Sequence, residues 1–232
     1  MKLKVRRLMT VGLVLGLVIL WLVVNPESYE RVEEGPSDAA VEGLTSSFSA
    51  AELLEKLAVK GRAPKTGYTR EEFYPGWPMV DGCSLRQKIL KRELSESAIL
   101  DGCIVVAGEF DEPYTGEHLV LKNKEEVSKI QIDHVVALSD AWQKGAQYLP
   151  YETRYEIATD PLNLLAVDGD ANEQKSDGDA ATWLPKNKKF RCQYVARQVS
   201  VKYKYGLWVT QAEKEAIARI LTNCPNEPAV GV

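Results

Sequence analysis

The chain has 232 residues, of which 45% are hydrophobic, and its formal net charge is −4. This length and composition allow one full hydrophobic core with room for a small appended subdomain. They exclude a fibrous or low-complexity protein, and the net acidity excludes a uniformly basic protein that coats nucleic acid.

The first 24 residues are typical of a targeting segment rather than of a folded domain. Four basic residues precede a run without charge from Leu8 to Val24. The run is long for a signal peptide and short for a spanning helix, so an uncleaved anchor and a cleaved signal peptide both stay open, with the anchor favoured. The positive-inside rule places the remainder outside the cytoplasm, either membrane-anchored or secreted. Residues 25–45 are acidic and rich in Pro, Gly and Ser, which predicts a flexible tether.

The four cysteines are Cys83, Cys103, Cys192 and Cys224. An even number in an exported chain indicates two disulfides, and the sequence alone permits three pairings. We favour Cys83–Cys103 with Cys192–Cys224, because each pair brackets one local unit. A zinc site is the weaker alternative, since the chain has no C-x-x-C pair and only two histidines.

From residue 46 onward the pattern predicts a folded domain. Ser49 can cap a helix whose leucines recur on one face. Residues 60–70, the basic arm, carry no acid and four cations: Lys60, Arg62, Lys65 and Arg70. Helical spacing predicts a second helix over 85–94, and residues 103–122 are typical of a β-hairpin.

Two strands and a helix are predicted in the second half of the domain. The strands run from Ile130 to Val136 and from Leu162 to Val167, and the helix begins near Ala171. Further helices are predicted at residues 139–147, 151–158, 187–205 and 210–223. The last of these begins with a capping box, Thr210 with Glu213. The predicted fold class is therefore α+β and helix-rich.

Polar residues that can bind a metal or take part in catalysis lie at the ends of these elements. Asp133 and His134 are adjacent at the end of the first strand, where a carboxylate can hold a hard cation and a neutral imidazole can take a proton from water. Asn163 lies among apolar strand residues, where its amide needs hydrogen bonds. Asn172 and Lys175 share one face of the following helix. An Asp-His pair alone is a weak signal for a catalytic site, and the later segment with Asn163, Asn172 and Lys175 strengthens it.

The order Asp-His, then Asn, then Asn-x-x-Lys, on strand, strand and helix, resembles the ββα-metal finger of HNH endonucleases. Four longer stretches resemble the exported actinobacterial-type HNH proteins related to the GmrSD carboxy-terminal domain: "GRAPKTGYTREEF", "QIDHVVALSDAWQKGA", "DPLNLLAVDGDANEQKSDGDAATWLP" and "YGLWVT". The resemblance covers about residues 50–224. It implies an HNH nuclease domain at 46–232, with a ββα-metal core at about 128–185. The hydrophobic helix predicted from residues 1–24 lies outside the resemblance.

The resemblance implies a role for each matching position. His134 is the general base, and Asn163 braces the loop that holds it in place. Asp133 and Asn172 hold Mg²⁺ or Mn²⁺, and Lys175 contacts a phosphate. The implied reaction is phosphodiester hydrolysis around one metal ion, which requires Asp133 and Asn172 to lie close enough to share it.

Basic residues elsewhere predict where a substrate lies. Residues 180–212 carry no acid and these cations: Lys186, Lys188, Lys189, Arg191, Arg197, Lys202 and Lys204. We expect the first four, together with Arg86, to bind a nucleic-acid backbone without reading its sequence. A solvated helix face is the alternative explanation of such a run.

The leading hypothesis is an exported, metal-dependent endonuclease of low sequence specificity that acts on DNA, with RNA as a further substrate left open. The alternative is a noncatalytic nucleic-acid-binding or cell-envelope module with the same fold. The complete set of site residues argues against a binder, which has no need of a general base. A serine hydrolase is excluded because no G-x-S-x-G pattern is present. No protein partner is inferred, and a membrane is a partner only if the N-terminal helix is uncleaved.

Overall fold

The computed structural model describes residues 48–231. The predicted hydrophobic helix at residues 1–24 and the predicted tether at 25–45 lie outside the described residues. Between residues 48 and 231, no helix has both the length and the apolar character that a membrane span requires.

The described chain contains eight α-helices, and most of them lie where the sequence predicts helices. They are α1 (Ala50–Lys56), α2 (Leu85–Glu93), α3 (Lys124–Ser128), α4 (Leu138–Gln143), α5 (Tyr151–Thr159), α6 (Gly169–Lys175), α7 (Arg191–Lys204) and α8 (Gln211–Leu221). Ser49 caps α1, and a capping box begins α8 at Thr210, as predicted; the structure adds that Ser49 also belongs to a capping box, with Glu52. The α+β class is confirmed.

Seven strands in the described chain form three small antiparallel sheets. They are β1 (Met79–Val80), β2 (Cys83–Ser84), β3 (Ser95–Leu100), β4 (Ile104–Asp111), β5 (His118–Leu121), β6 (Ile130–His134) and β7 (Leu164–Asp168). The sheets are β1-β2, β3-β4-β5 and β6-β7. The predicted hairpin at 103–122 is the β4-β5 pair. Strand β3 was not predicted, because its residues are mostly exposed and its pairing with β4 shifts register.

The β6-β7 pair lies at the centre of the domain. Asp133 is opposite Leu165, and His134 is opposite Leu164. Because side chains alternate along a strand, β7 is buried on both faces: Leu165 packs with the helices α1, α7 and α8, and Leu164 packs with α2 and β4. The end of β6 is therefore fixed between two cores.

Both favoured disulfides are present. Cys83–Cys103 joins β2 to the turn before β4, and Cys192–Cys224 joins the first turn of α7 to the residues after α8. The sequence separations are 20 and 32 residues. Closing loops of this size in the unfolded chain contributes about 3 kcal/mol for each bond.

We therefore expect each paired removal, Cys83→Ala with Cys103→Ala or Cys192→Ala with Cys224→Ala, to lower the melting temperature by roughly 6–12 °C. Calorimetry of the oxidised proteins measures this shift. Dithiothreitol should lower the melting temperature of the wild type by more than that of either double variant. A wild type whose melting is unchanged by the reductant would contradict the stabilising role.

A group of interleaved acids and bases, the buried ion cluster, joins α4, α7 and α8. Its members are Asp140, Lys144, Asp179, Lys202, Glu213 and the partly exposed Arg62. The Lys144 ammonium lies 2.6 Å from both Asp140 and Glu213 and 2.7 Å from Asp179. Burial alone would raise the pKa of Asp140, but the neighbouring Lys202 and Lys144 lower the pKa below its ordinary value. The contribution of this carboxylate to stability is therefore complete above pH 3.8 and is lost as the pH falls through its lowered pKa.

Breaking this cluster should be far more costly than breaking a surface ion pair. Lys144→Met leaves three carboxylates short of a partner in the interior, so we expect it to lower the free energy of unfolding by about 3–5 kcal/mol. Lys88→Met, which removes the exposed pair with Asp81, is the matched control and should change it by less than about 1 kcal/mol. Urea denaturation at neutral pH compares the two, and equal losses would refute the energetic role of the cluster.

Candidate active site

Strands β6 and β7 and the helix that follows them bring three of the predicted site residues to one cleft. The cleft has a volume of about 310 Å³ and is lined by Asp133, His134 and Asn172. Other polar side chains at its walls are Lys65, Arg70, Gln131, Ser139, Glu173 and Asp177. Carboxylates, amides and cations therefore share a water-accessible space beside a histidine.

Helix α6 begins immediately after β7 and packs closely against β6. The Asp168 side chain accepts a hydrogen bond from the Ala171 amide at 2.9 Å and so caps the helix. A Cβ on Gly169 would lie 2.8 Å from the Lys129 carbonyl oxygen, so only glycine permits this approach. The close packing places Asn172 beside the strand that carries Asp133.

His134 is held by one ring nitrogen. Its Nε2 lies 2.9 Å from the Ala158 carbonyl oxygen, which can only accept, so Nε2 carries the hydrogen. The Nδ1 lone pair has no protein donor within the described residues. Trp77 stacks on the ring at a centroid distance of 5.9 Å and covers one face. Burial lowers the pKa of His134 to about 3, so the imidazole is neutral at physiological pH.

Asn163 is fully buried and connects three backbone segments. Its Oδ1 accepts from the Val136 amide at 2.8 Å, and its Nδ2 donates to the Ile157 carbonyl at 3.0 Å. It therefore ties the chain that follows His134 to the end of α5, where Ala158 holds the imidazole. These contacts position the histidine, and Asn163 itself does not line the cleft.

Asp133 is 6% exposed, and both of its carboxylate oxygens accept hydrogen bonds from the protein. Lys175 Nζ donates to Oδ1 at 2.9 Å, and the Tyr114 hydroxyl donates to Oδ2 at 2.5 Å. Burial raises the pKa of Asp133, while Lys175 and Tyr114 counteract this by stabilising the charged form. The carboxylate is thus held in one orientation by these donors and by the His134 backbone amide.

Asn172 is paired with a residue that sequence reasoning missed. Its Nδ2 donates to Gln131 Oε1 at 2.7 Å, while its own Oδ1 has no protein partner within the described residues. Gln131 precedes Asp133 by two positions on β6, so both project from the same face of the strand. Asp133, Asn172 and Glu173 all line the cleft, and carboxylate and amide oxygens are donors of the kind that suits Mg²⁺ or Mn²⁺.

Lys175 does not lie where a phosphate contact requires it. Its side chain is fully buried, and its ammonium donates to Asp133 and to the His134 carbonyl at 2.9 Å. The i, i+3 spacing correctly placed Lys175 on the same helix face as Asn172. The spacing could not show that Asn172 lies at the cleft while Lys175, almost one helical turn later, is buried in the core.

The residues predicted to grip a nucleic-acid backbone do not line the cleft either. Arg86 donates to the Ile130 carbonyl at 2.8 Å, and Arg191 donates to the Pro185 carbonyl at 2.7 Å. Lys186, Lys188 and Lys189 are exposed on the surface away from the cleft walls. Lys202 and Arg197, from the same basic run, bind buried acids and backbone carbonyls instead.

The cations that do line the cleft come from the basic arm. Arg70 and Lys65 lie at its walls, and the Tyr74 hydroxyl accepts from the Arg70 guanidinium Nε at 3.0 Å. No ion pair joins Arg70 to an acid within residues 48–231, whereas Lys65 pairs with Asp177 at 3.0 Å. The absence of acids between residues 60 and 70 was the sequence signal that could have identified them.

Comparison of the sequence with known proteins identifies the family of the chain. The profile of the family described as "GmrSD restriction endonucleases, C-terminal domain" matches residues 85–220. An uncharacterized secreted protein of Arthroderma benhamiae is 33% identical over 184 residues, which cover 78% of this chain and 87% of that protein. No solved structure matches the chain. The match to the profile spans more than half of the chain and includes every residue of the β6-β7-α6 unit, and the chain therefore belongs to the family of the GmrSD restriction endonuclease C-terminal domain.

Proposed function

We propose that the domain is a metal-dependent endonuclease of the HNH type that hydrolyses phosphodiester bonds in DNA, with RNA as a second substrate. The observation that carries this proposal is the state of His134: a neutral imidazole with Nε2 fixed by a carbonyl and Nδ1 open, at the wall of a cleft that also holds Asp133 and Asn172. The β6-β7-α6 unit then corresponds to the ββα-metal finger. Family membership supports a nuclease-related role.

His134 acts as the general base. A water molecule in the cleft gives a proton to Nδ1 as its oxygen attacks the phosphorus. The bond from the phosphorus to the 3′ oxygen breaks, and the departing 3′ oxygen takes a proton from solvent water. The positive charge that develops on the ring is stabilised by the Ala158 carbonyl. Burial makes the ring a weak base, but the negative charge of a bound phosphodiester favours the protonated form. General-base catalysis of this kind contributes about 10²–10⁴ in rate.

Asp133 and Asn172 would hold the Mg²⁺ or Mn²⁺, which when bound supplies a positive charge for the phosphate oxygens and the leaving oxygen. Lys175 and the Tyr114 hydroxyl fix the Asp133 carboxylate in one orientation. Gln131 does the same for the Asn172 amide, so its oxygen rather than its nitrogen faces the cleft. Lys175 is thus a positioning residue in this proposal.

Arg70 is the side chain that binds the scissile phosphate. Its guanidinium is exposed at the cleft and held by Tyr74, which also contacts the His134 ring at a centroid distance of 5.8 Å. A guanidinium can donate two parallel hydrogen bonds to a phosphate. Arg70 therefore takes over the phosphate contact that the sequence predicted for Lys175.

The protein acts outside the cytoplasm in this proposal. Two disulfides are typical of proteins from oxidising compartments. The relative from Arthroderma benhamiae is described as secreted. Export also suits a nuclease of low sequence specificity, because it separates the enzyme from the DNA of its own cell.

Purified protein should nick supercoiled plasmid in the presence of Mg²⁺ or Mn²⁺, and EDTA should abolish the reaction. His134→Ala removes the proton acceptor and should lower the rate by at least about 10²-fold. The matched control is His118→Ala, because His118 is the other histidine of the chain and lies exposed beside Asp111, outside the cleft. Cleavage that survives chelation would refute the metal role. Equal rates for the two histidine variants would leave the noncatalytic binding module as the better account.

Arg70→Ala should lower kcat/KM for plasmid nicking by about 10²-fold, since it removes a charge-stabilising donor from the reacting phosphate. Arg70→Lys keeps the charge without the two-pronged geometry and should recover only part of the activity. Arg219→Ala, at an exposed position on α8, serves as the control and should behave as wild type. If the Arg70 and Arg219 variants cleave equally well, Arg70 does not contact the substrate.

A further inference from the structure

An exposed aromatic pair lies beside the basic arm, outside the cleft. Tyr148 is 70% exposed, the largest exposed fraction among the large hydrophobic and aromatic side chains of the described chain. Its ring stacks on Trp208 with a centroid distance of 6.3 Å and an interplanar angle of 24°. Lys60 Nζ lies 5.1 Å from the centroid of the Trp208 ring. One face of Tyr148 is thus covered by Trp208, and the other is open to solvent.

The basic arm connects this pair to the cleft. Trp208 Nε1 donates to the Gly61 carbonyl at 3.0 Å, so one end of the arm is fastened beside the aromatic pair. The Gln147 side chain, next to Tyr148, donates to the Pro64 carbonyl at 3.2 Å. The residue after Pro64 is Lys65, which lines the cleft together with Arg70. An extended chain from Lys60 to Lys65 spans at most about 18 Å.

The chemistry of this surface matches an unpaired nucleic-acid strand. Aromatic faces that are open to solvent can stack with bases, and the cations between them follow the phosphates. In a duplex the bases stack on one another and offer no free face, so the Tyr148 ring has no partner there. Gln147, the residue before Tyr148, contacts Pro64, and the next residue, Lys65, lines the cleft that holds the proposed catalytic residues.

We propose that Lys60, Tyr148 and Trp208 form a single-strand binding strip that guides unpaired DNA or RNA into the cleft, so that unpaired nucleic acid is the preferred substrate class. This inference rests on the proposed nuclease function, because it names the substrate of the same site. A base stacks on the open face of Tyr148, and Lys60 binds a neighbouring phosphate.

Binding can be measured without cleavage by using the full chain with His134→Ala in EDTA. The probes are a fluorescent oligothymidine, an oligouridine and a duplex of matched length, followed by anisotropy at fixed salt. We expect Tyr148→Ala to weaken oligothymidine or oligouridine binding by about 10-fold and to change duplex binding by less than about twofold. Tyr148→Phe keeps the ring and should bind as the parent does.

Tyr203→Ala is the matched control, because this tyrosine is 40% exposed and contacts Lys56 rather than the arm. Thermal melting checks that each variant is folded. Because Tyr148 is mostly exposed, its replacement should leave the fold intact. The strip is refuted if Tyr148→Ala and Tyr203→Ala bind oligonucleotides equally, or if Tyr148→Ala weakens single-strand and duplex binding to the same extent. If the wild type does not nick plasmid but Tyr148→Ala still weakens single-strand binding selectively, the nuclease proposal alone is refuted.

Discussion

The ion pair between Asp133 and Lys175 is the contact on which the arrangement of the cleft depends. It joins the end of β6 to the last turn of α6, and the same ammonium also binds the His134 carbonyl. Asn172 lies three residues before Lys175, so anchoring the lysine also sets the direction of the amide. Loss of either charged partner would leave the other buried without compensation, a cost of several kcal/mol. The carboxylate, the amide and the backbone of the histidine are thus fixed by one interior contact.

The histidine ring is positioned from the opposite side. The Ala158 carbonyl holds Nε2, and Asn163 ties the end of α5 to the chain that follows His134. The loop that carries Asn163 is fastened by Arg92 and Arg197, whose guanidinium groups both donate to the Pro161 and Leu164 carbonyls. Arginines that could be mistaken in the sequence for nucleic-acid contacts therefore bind the backbone carbonyls of a loop behind the site.

Much of the fold could be predicted from the sequence because its signals are local. Ser49 and Thr210 mark helix starts by capping chemistry, and each disulfide closes a unit that is contiguous in the chain. The strand, strand and helix that carry Asp133, His134 and Asn172 could be placed because their apolar patterns and their family resemblance agreed. These signals depend on neighbours within a few residues, and long-range packing did not override them.

The direction of individual charged side chains could not be predicted. A run of cations looks the same whether its members meet solvent, phosphates, backbone carbonyls or buried acids. Lys175 and Lys202 both lie within the core, because Asp133 in one case and Asp140 in the other reach them from 42 and 62 positions away in the sequence. Gln131 was missed for a similar reason: its importance comes from Asn172, which contacts it across 41 positions of sequence.

A net negative charge is compatible with a nucleic-acid substrate because exposed charges act over a short range. At physiological salt the screening length is about 8 Å, so a phosphate in the cleft interacts mainly with the groups at its walls. There Lys65 is neutralised by Asp177, and Arg70 has no acidic partner within the described residues. Few phosphates can then be neutralised, which limits counterion release and with it the affinity for long nucleic acids. In the proposed nuclease, substrate capture then depends on a few fixed contacts, which are Arg70 in the cleft and the single-strand binding strip beside the basic arm.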